Sequence, residues 1–290
     1  MKWNTTRFLV DLTTPKVMGI VNVTPDSFSD GGRNANTATA LLHCEQLLSD
    51  GADILDIGGE STRPGASPVS QEDELARLLP VVREAVKLGV PVSVDTYKPA
   101  VMQAVLDLGV DIINDIWALR WTDASACDPA DGKAVVSRHP ACGVCLMHMH
   151  REPQTMQVAP MEGDVVPQVL LFLEHQAKLL RGLGVKSSRI VIDPGIGFGK
   201  TVEQNFALLA RQRELLAGGY PLVAGWSRKS SLAAVAGIAA TPEVHERMVP
   251  SVAAALLAVE RGAAVVRVHD VRETVQALKV LNAISSIATC

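Results

Sequence analysis

The chain is poor in aromatics: Phe, Tyr and Trp make up 4% of its 290 residues. That excludes the stacked-base platforms of single-strand-binding proteins. It has no excess of positive charge, since 27 Lys and Arg face 31 Asp and Glu for a net −4. A nucleic-acid or acidic-membrane partner calls for a basic face, so neither is expected. The N-terminus, MKWNTTRFLVDLTTPK, lacks the apolar run of about 7 to 15 residues found in a secretory signal. The most apolar late stretch, VPSVAAALLAVERGAAVVRV, is interrupted by Glu260 and Arg261 and falls short of the roughly 18 to 20 apolar residues of a membrane span. A soluble, cytoplasmic protein is the expectation. Cysteines number five, an odd count that reads as reduced thiols. Cys142 and Cys145 form a C-x-x-C, but no second such pair exists to complete a zinc site. No low-complexity stretch or polar linker divides the sequence, so one domain over 1–290 is expected, with the barrel described below at about 17–286.

What is present is an alternation. Short runs rich in Val and Ile (KVMGIVN, ADILDIG, VPVSVD, VDIIND, GVCLMHM, RIVID, YPLVAGWS and AAVVRVH) read as strands buried on both faces. Between them lie helical stretches at 36–49, 70–88, 98–108, 164–182, 202–217, 242–261 and 270–286. Gly51, Gly89, Gly109, Gly184 and Gly262 each follow a helical stretch and precede a strand, where a helix end takes up a left-handed residue. Alternating β and α units imply a parallel sheet with right-handed crossovers. About eight units in a chain of this length imply an α/β fold of the closed (β/α)8 TIM-barrel type, with residues 1–16 as a short N-terminal extension. Asp128-Pro129, Gly132 and Pro140 interrupt 120–141, so the fourth helix should be short.

Barrels of this type build their sites at the carboxyl ends of the strands. The polar residues closing the runs are Asn22, Asp56, Asp95, Asn114, His148, Asp193, Ser227 and His269. Asp95, Asn114 and Asp193 offer two acceptor-only carboxylates and an amide, a set suited to a flat heterocycle with an amidine-like edge. Arg63, Lys229, Arg267 and His269 add cations near Asn22, a group suited to phosphate or pyrophosphate. GIGFGKT at 195–201 resembles a phosphate-binding loop, but Pro194 stands where that motif needs glycine. It reads instead as a strand-to-helix turn that places Asp193 and Phe198. GGESTRPGA (58–66) and NVTPDSFSDGG (22–32) read as mobile loops presenting polar groups. The Ala-rich 251–258 face reads as barrel packing, with a subunit contact as the alternative.

Taken in order, these segments resemble a known family. MGIVNVTPDSFSDGG (18–32) and DILDIGGESTRPGA (53–66) are similar to the two signatures of the dihydropteroate synthases. SVDTYKPAV, IINDI, LMHM, IDPGIGFGKT, GWSRKS and RVHDVRET follow at compatible distances. The resemblance implies a transferase that joins a 7,8-dihydropterin-6-ylmethyl pyrophosphate to p-aminobenzoate, with Mg2+ assisting and pyrophosphate leaving. It implies that Asp95, Asn114, Asp193 and Lys229 hold the pterin ring between Ile116, Met147 and Phe198. Asn22 would bind Mg2+. Asn22, Asp56, Arg63, Arg267 and His269 would hold the pyrophosphate, and Phe28, Thr62, Arg63, Pro64, Lys229 and Ser230 the p-aminobenzoate. Asp95, Asp193, Lys229 and Arg267 would carry the catalysis, and the protein would be a homodimer. Two positions depart from the family pattern: His150-Arg151 stands where Gln-Gly is usual, and Trp226 is bulky for the rim. The rival readings are a methyltransferase-type pterin-binding barrel and an inactive pterin-binding subunit.

Overall fold

Side-chain parity along the strands organises the structure, a computed structural model describing residues 1–24, 32–62, 65–122, 131–238 and 244–288. The first two strands, β1 (Lys2–Asn4) and β2 (Leu9–Asp11), form an antiparallel hairpin. The barrel strands are β3 (Lys16–Asn22), β4 (Ile54–Gly58), β5 (Val92–Asp95), β6 (Ile112–Asp115), β7 (Gly143–Met147), β8 (Ile190–Asp193), β9 (Val223–Ala224) and β10 (Val265–Val268). They pair in parallel in the order β8-β7-β6-β5-β4-β3-β10-β9, and a bridge between Ile192 and Leu222 joins the two edges. The eight runs expected as strands thus form the expected parallel barrel. YPLVAGWS contributes least, because Pro221 lacks a backbone donor and Gly225 adds no side chain to the strand.

One set of strand residues faces the helices. Val21, Leu55, Ile57, Val94, Ile113, Leu146, Ile192 and Val266 pack there with Leu78, Val105, Leu173 and Ala258. The alternate set faces the lumen: Met18, Ile54, Ile112, Cys145, Val191, Val223 and Val265 form a separate core with Trp3, Val10 and Leu12 of the hairpin. The extension 1–16 is therefore a plug for the amino-terminal mouth. Trp3 is fully buried and its Nε1 donates to the Arg189 carbonyl at 3.0 Å. A Cβ on Gly143 would stand 2.9 Å from that nitrogen, so the fit requires glycine. Asp111 fastens the hairpin turn from below: its carboxylate accepts from the Arg7 backbone N–H at 2.9 Å and from Val92 N–H at 2.9 Å.

The helices depart from expectation in three places. The stretch 202–217 breaks after Val202–Ala210 into a short turn at Gln212–Leu215. The described part of the stretch 242–261 is a 3-10 helix at Val244–Arg247 followed by an α-helix at Met248–Glu260. A helix at Ser230–Ala236, seven residues long, was hidden because an Ala-rich turn has too few apolar anchors to show a period. The fourth helix is short, Gly132–Arg138, as its breakers imply. Ser251, Ala254, Ala255 and Ala258 are buried, so that face packs on the barrel. Among the described residues no helix is long and apolar enough to cross a membrane.

Candidate active site

Continuing each lumen row past its apolar residue brings charge into the barrel. Asp56 follows Ile54, Asn114 follows Ile112, Asp193 follows Val191 and Arg267 follows Val265, each by two positions and so on the same face. Asp56 corrects the reading of this aspartate as a strand end. The run continues to Gly58, so Asp56 sits inside β4 and is fully buried. Its carboxylate accepts from Arg267 Nε at 2.6 Å and from Asn114 Nδ2 at 3.2 Å. Arg267 Nη2 reaches Asp95 Oδ2 at 2.8 Å. Two carboxylates thus share one guanidinium. Burial pushes the Asp95 carboxyl up from the usual aspartate range; Arg267 opposes the rise and Asp56 adds to it.

Asp193 closes β8 and is buried beside this network. Its Oδ1 accepts from the Gly195 N–H at 2.7 Å. Burial raises its pKa, and the Gly195 N–H followed by Lys229, Arg267 and Lys200 pulls it back. The segment 195–199 is the strand-to-helix turn its sequence implies. Gly195 has φ +68, and a Cβ there would lie 1.8 Å from the His148 carbonyl oxygen. The turn sets the Phe198 ring beneath Lys229, whose Nζ lies 4.4 Å from the ring centroid, within cation–π range. A capping box between Thr201 and Gln204 then starts the next helix.

The three side chains expected as apolar walls meet: Ile116, Met147 and Phe198 form one buried cluster. Met149 and Met156 belong to it and were not anticipated; Met156 comes from the loop after β7, where no period marks it. Across the rim, Ser227 Oγ lies 2.9 Å from His269 Nδ1, and Arg228 pairs with Asp270 at 2.7 Å. Asn22 ends β3, half-buried and in register with Gly58. Ser230 opens the helix Ser230–Ala236. Thr62 lines a recess of about 350 Å3 with Glu60, Tyr97, Trp117, Trp121 and Glu152. None of the lumen carboxylates lines that recess, so it lies beside the charged cup rather than in it. Phe28, Arg63 and Pro64 lie outside the described residues. Trp226 points away from the rim: it is buried in the outer core, 5.4 Å from the Phe206 ring.

Sequence reasoning missed two buried lysines. Lys98 links Glu60 and Glu74 behind the 58–66 segment, and Tyr97 Oη donates to Glu60 at 2.9 Å. Lys200 is taken up in the 195–199 turn. Both stand inside motifs that were quoted, but nothing in a sequence tells a buried lysine from a solvated one. The C-x-x-C cysteines are both buried and free.

A parallel barrel with carboxylates, an amide and cations at its carboxyl mouth has the makings of a small-molecule enzyme site, and the sequence matches the pterin binding enzyme family over residues 18–269. Dihydropteroate synthase of Neisseria meningitidis serogroup B is 48% identical over 97% of this chain and 97% of its own length. The crystal structure of Burkholderia cenocepacia dihydropteroate synthase complexed with 7,8-dihydropteroate aligns with TM-score 0.87 at 48% identity, covering 99% of this chain and 98% of that one. The Xanthomonas albilineans enzyme, solved with 4-aminobenzoic acid, aligns with TM-score 0.87 at 42% identity over 98% and 99% of the two chains. The chain belongs to the dihydropteroate synthase family, which is a family of transferases.

Proposed function

We propose that the charged cup at the carboxyl mouth is the site of dihydropteroate synthesis, with the roles divided as follows. Asp95, Asn114 and Asp193 take the amidine-like edge of the pterin, and Lys229 a ring acceptor. Ile116, Met147 and Phe198 cover its faces. Arg267 and His269, with Asn22, Asp56 and Arg63 around them, take the pyrophosphate. Thr62, Ser230 and Lys229, with Phe28, Arg63 and Pro64, receive p-aminobenzoate. The observation that carries this reading is the pair of Arg267 contacts to Asp56 and Asp95. They put the strongest cation of the site against the ring-binding carboxylate, where the methylene and its leaving group would meet.

In the reaction the bond from the pterin methylene to pyrophosphate breaks and its electrons leave with pyrophosphate. The amine lone pair of p-aminobenzoate forms the new C–N bond, and the nitrogen loses a proton to water or to the departing anion. Asp95 and Asp193 stabilise positive charge on the ring as the bond lengthens, and Arg267 stabilises the anion. The loops 22–32 and 58–66 position the amine and exclude water. Asn22 offers one amide oxygen at the end of β3. Such a sparse donor set suits Mg2+, which keeps several waters and phosphate oxygens around one or two protein ligands. That ion would neutralise charge on the pyrophosphate.

The chain acts as one unit with its barrel at 17–286, in the cytoplasm, and as a homodimer. Val249, Val280 and Ile284 on the last two helices are more than 60% exposed, which supports a partner surface there. The decisive assay incubates the protein with the pterin pyrophosphate, p-aminobenzoate and Mg2+ and follows pyrophosphate release. Release that depends on the amine is expected. Binding of pterin without release would identify an inactive subunit.

A further inference from the structure

Lys200 is the one charged side chain of the IDPGIGFGKT segment that the proposed roles leave unused after Asp193. It is 2% exposed. Its Nζ lies 3.0 Å from His148 Nδ1, 2.9 Å from the Gly195 carbonyl and 3.1 Å from the Phe198 carbonyl. An ammonium has three N–H donors and no acceptor. The three nearest acceptors, with the His148 carbonyl a fourth at 3.5 Å, match its charged form. His148 can accept only if its ring is neutral with the proton on Nε2. Burial, with Lys200 and Arg120 nearby, holds its pKa down to about 2, so the ring stays neutral. The ring is also fixed edge-on to Phe172 at 4.9 Å between centroids.

Each acceptor leads into the proposed pterin site by a single step. His148 follows Met147, an apolar wall. Gly195 donates its N–H to Asp193. Phe198 is the second wall and carries Lys229 over its ring. We infer that Lys200 is a positioning residue for the pterin: its ammonium ties the end of β7 to the 195–199 turn and holds Asp193, Phe198 and Met147 in one arrangement. It touches no substrate. It also supplies a buried positive charge facing Asp193, beside Lys229, Arg267 and the Gly195 N–H. Burial pulls Lys200 down to about 7, and Asp193 opposes that fall.

This inference rests on the assignment of Asp193 and Phe198 to the ring, and the experiment separates the two. Lys200→Met, Lys200→Gln and Asp193→Asn are purified, their folding is checked by thermal denaturation, and KM is measured for each substrate. Lys200→Met is expected to raise the KM for pterin pyrophosphate about tenfold, the equivalent of one lost buried charged hydrogen bond. The KM for p-aminobenzoate should stay near the wild-type value. Lys200→Gln keeps two N–H donors without the charge and should fall between. The acid limb of kcat/KM for the pterin should also move to higher pH in Lys200→Met, because Asp193 loses a facing positive charge. Equal rises in both KM values, or unchanged kinetics in a folded variant, would overturn the inference. So would insolubility of both Lys200 variants, which would assign the residue to folding alone. If Asp193→Asn binds pterin normally, the ring assignment itself is wrong. If Asp193→Asn loses pterin and Lys200→Met does not, only the role of Lys200 fails.

Discussion

The two mouths of this barrel are made by the same strands with the same pleat, yet one is dry and the other charged. On β4, β6, β8 and β10 the lumen side chain changes from Ile54, Ile112, Val191 and Val265 to Asp56, Asn114, Asp193 and Arg267 over two residues. Two residues of strand are roughly 7 Å. The lower layer is sealed by Trp3 and the hairpin; the upper layer is held by the ion pairs of Arg267 with Asp56 and Asp95. Stability and chemistry are therefore assigned to different layers of one lumen, and changes at each should have separate signatures.

The largest effect is expected at the sealed mouth. Trp3→Ala empties the space under β7 and β8 and should cost about 3 to 5 kcal/mol of stability. Urea denaturation measures the loss. The KM for pterin pyrophosphate, taken per folded molecule, should not change. A matching fall in pterin affinity would mean that the two layers are coupled after all.

The charged mouth should instead carry the pH response. Burial raises Asp95 from its ordinary 3.8 to about 7 in the folded chain. A raised carboxyl binds its proton more tightly when folded than when unfolded. Its effect on stability is therefore most favourable below about 4, falls as pH rises, and levels off above about 7. Asp95→Asn should reduce the slope of stability against pH across that window and leave the part due to Asp115, which burial also raises to about 7. Trp3→Ala should shift the whole curve down without changing its shape. A curve for Asp95→Asn that keeps the wild-type slope would place the titrating group elsewhere.

Much of this division was legible in the sequence because it follows from parity. The Val- and Ile-rich runs mark both-face burial, and the polar residue within or after each run marks the functional end. Asp95, Asn114 and Asp193 were found in that way. Asp56 was misplaced by one layer, since a run that continues as Ile57-Gly58 gives no sign of where the lumen turns polar. Trp226 was misjudged for the related reason that parity in a two-residue strand is hard to set. Trp3 as a plug and Lys200 as a tie were not legible at all. Both depend on contacts between segments, Trp3 with Arg189 and Lys200 with His148, that no local pattern encodes.

Backbone strain follows the same division. Among the described residues the non-glycine positions with positive φ are Ala118, Leu119, Arg151 and Arg228, and all four lie in loops after strand ends at the charged mouth. Arg151 tests what such strain costs. It has φ +62. A left-handed conformation costs an L side chain roughly 1 to 2 kcal/mol, and glycine's extra freedom when unfolded returns about 0.5 to 1 kcal/mol of that. Arg151→Gly should therefore stabilise the protein by between zero and about 1.5 kcal/mol, while Arg151→Ala, which keeps the Cβ, should be neutral. Thermal denaturation of the two variants separates them. A gain from Ala as large as that from Gly would trace the cost to the arginine side chain rather than to the backbone it sits on.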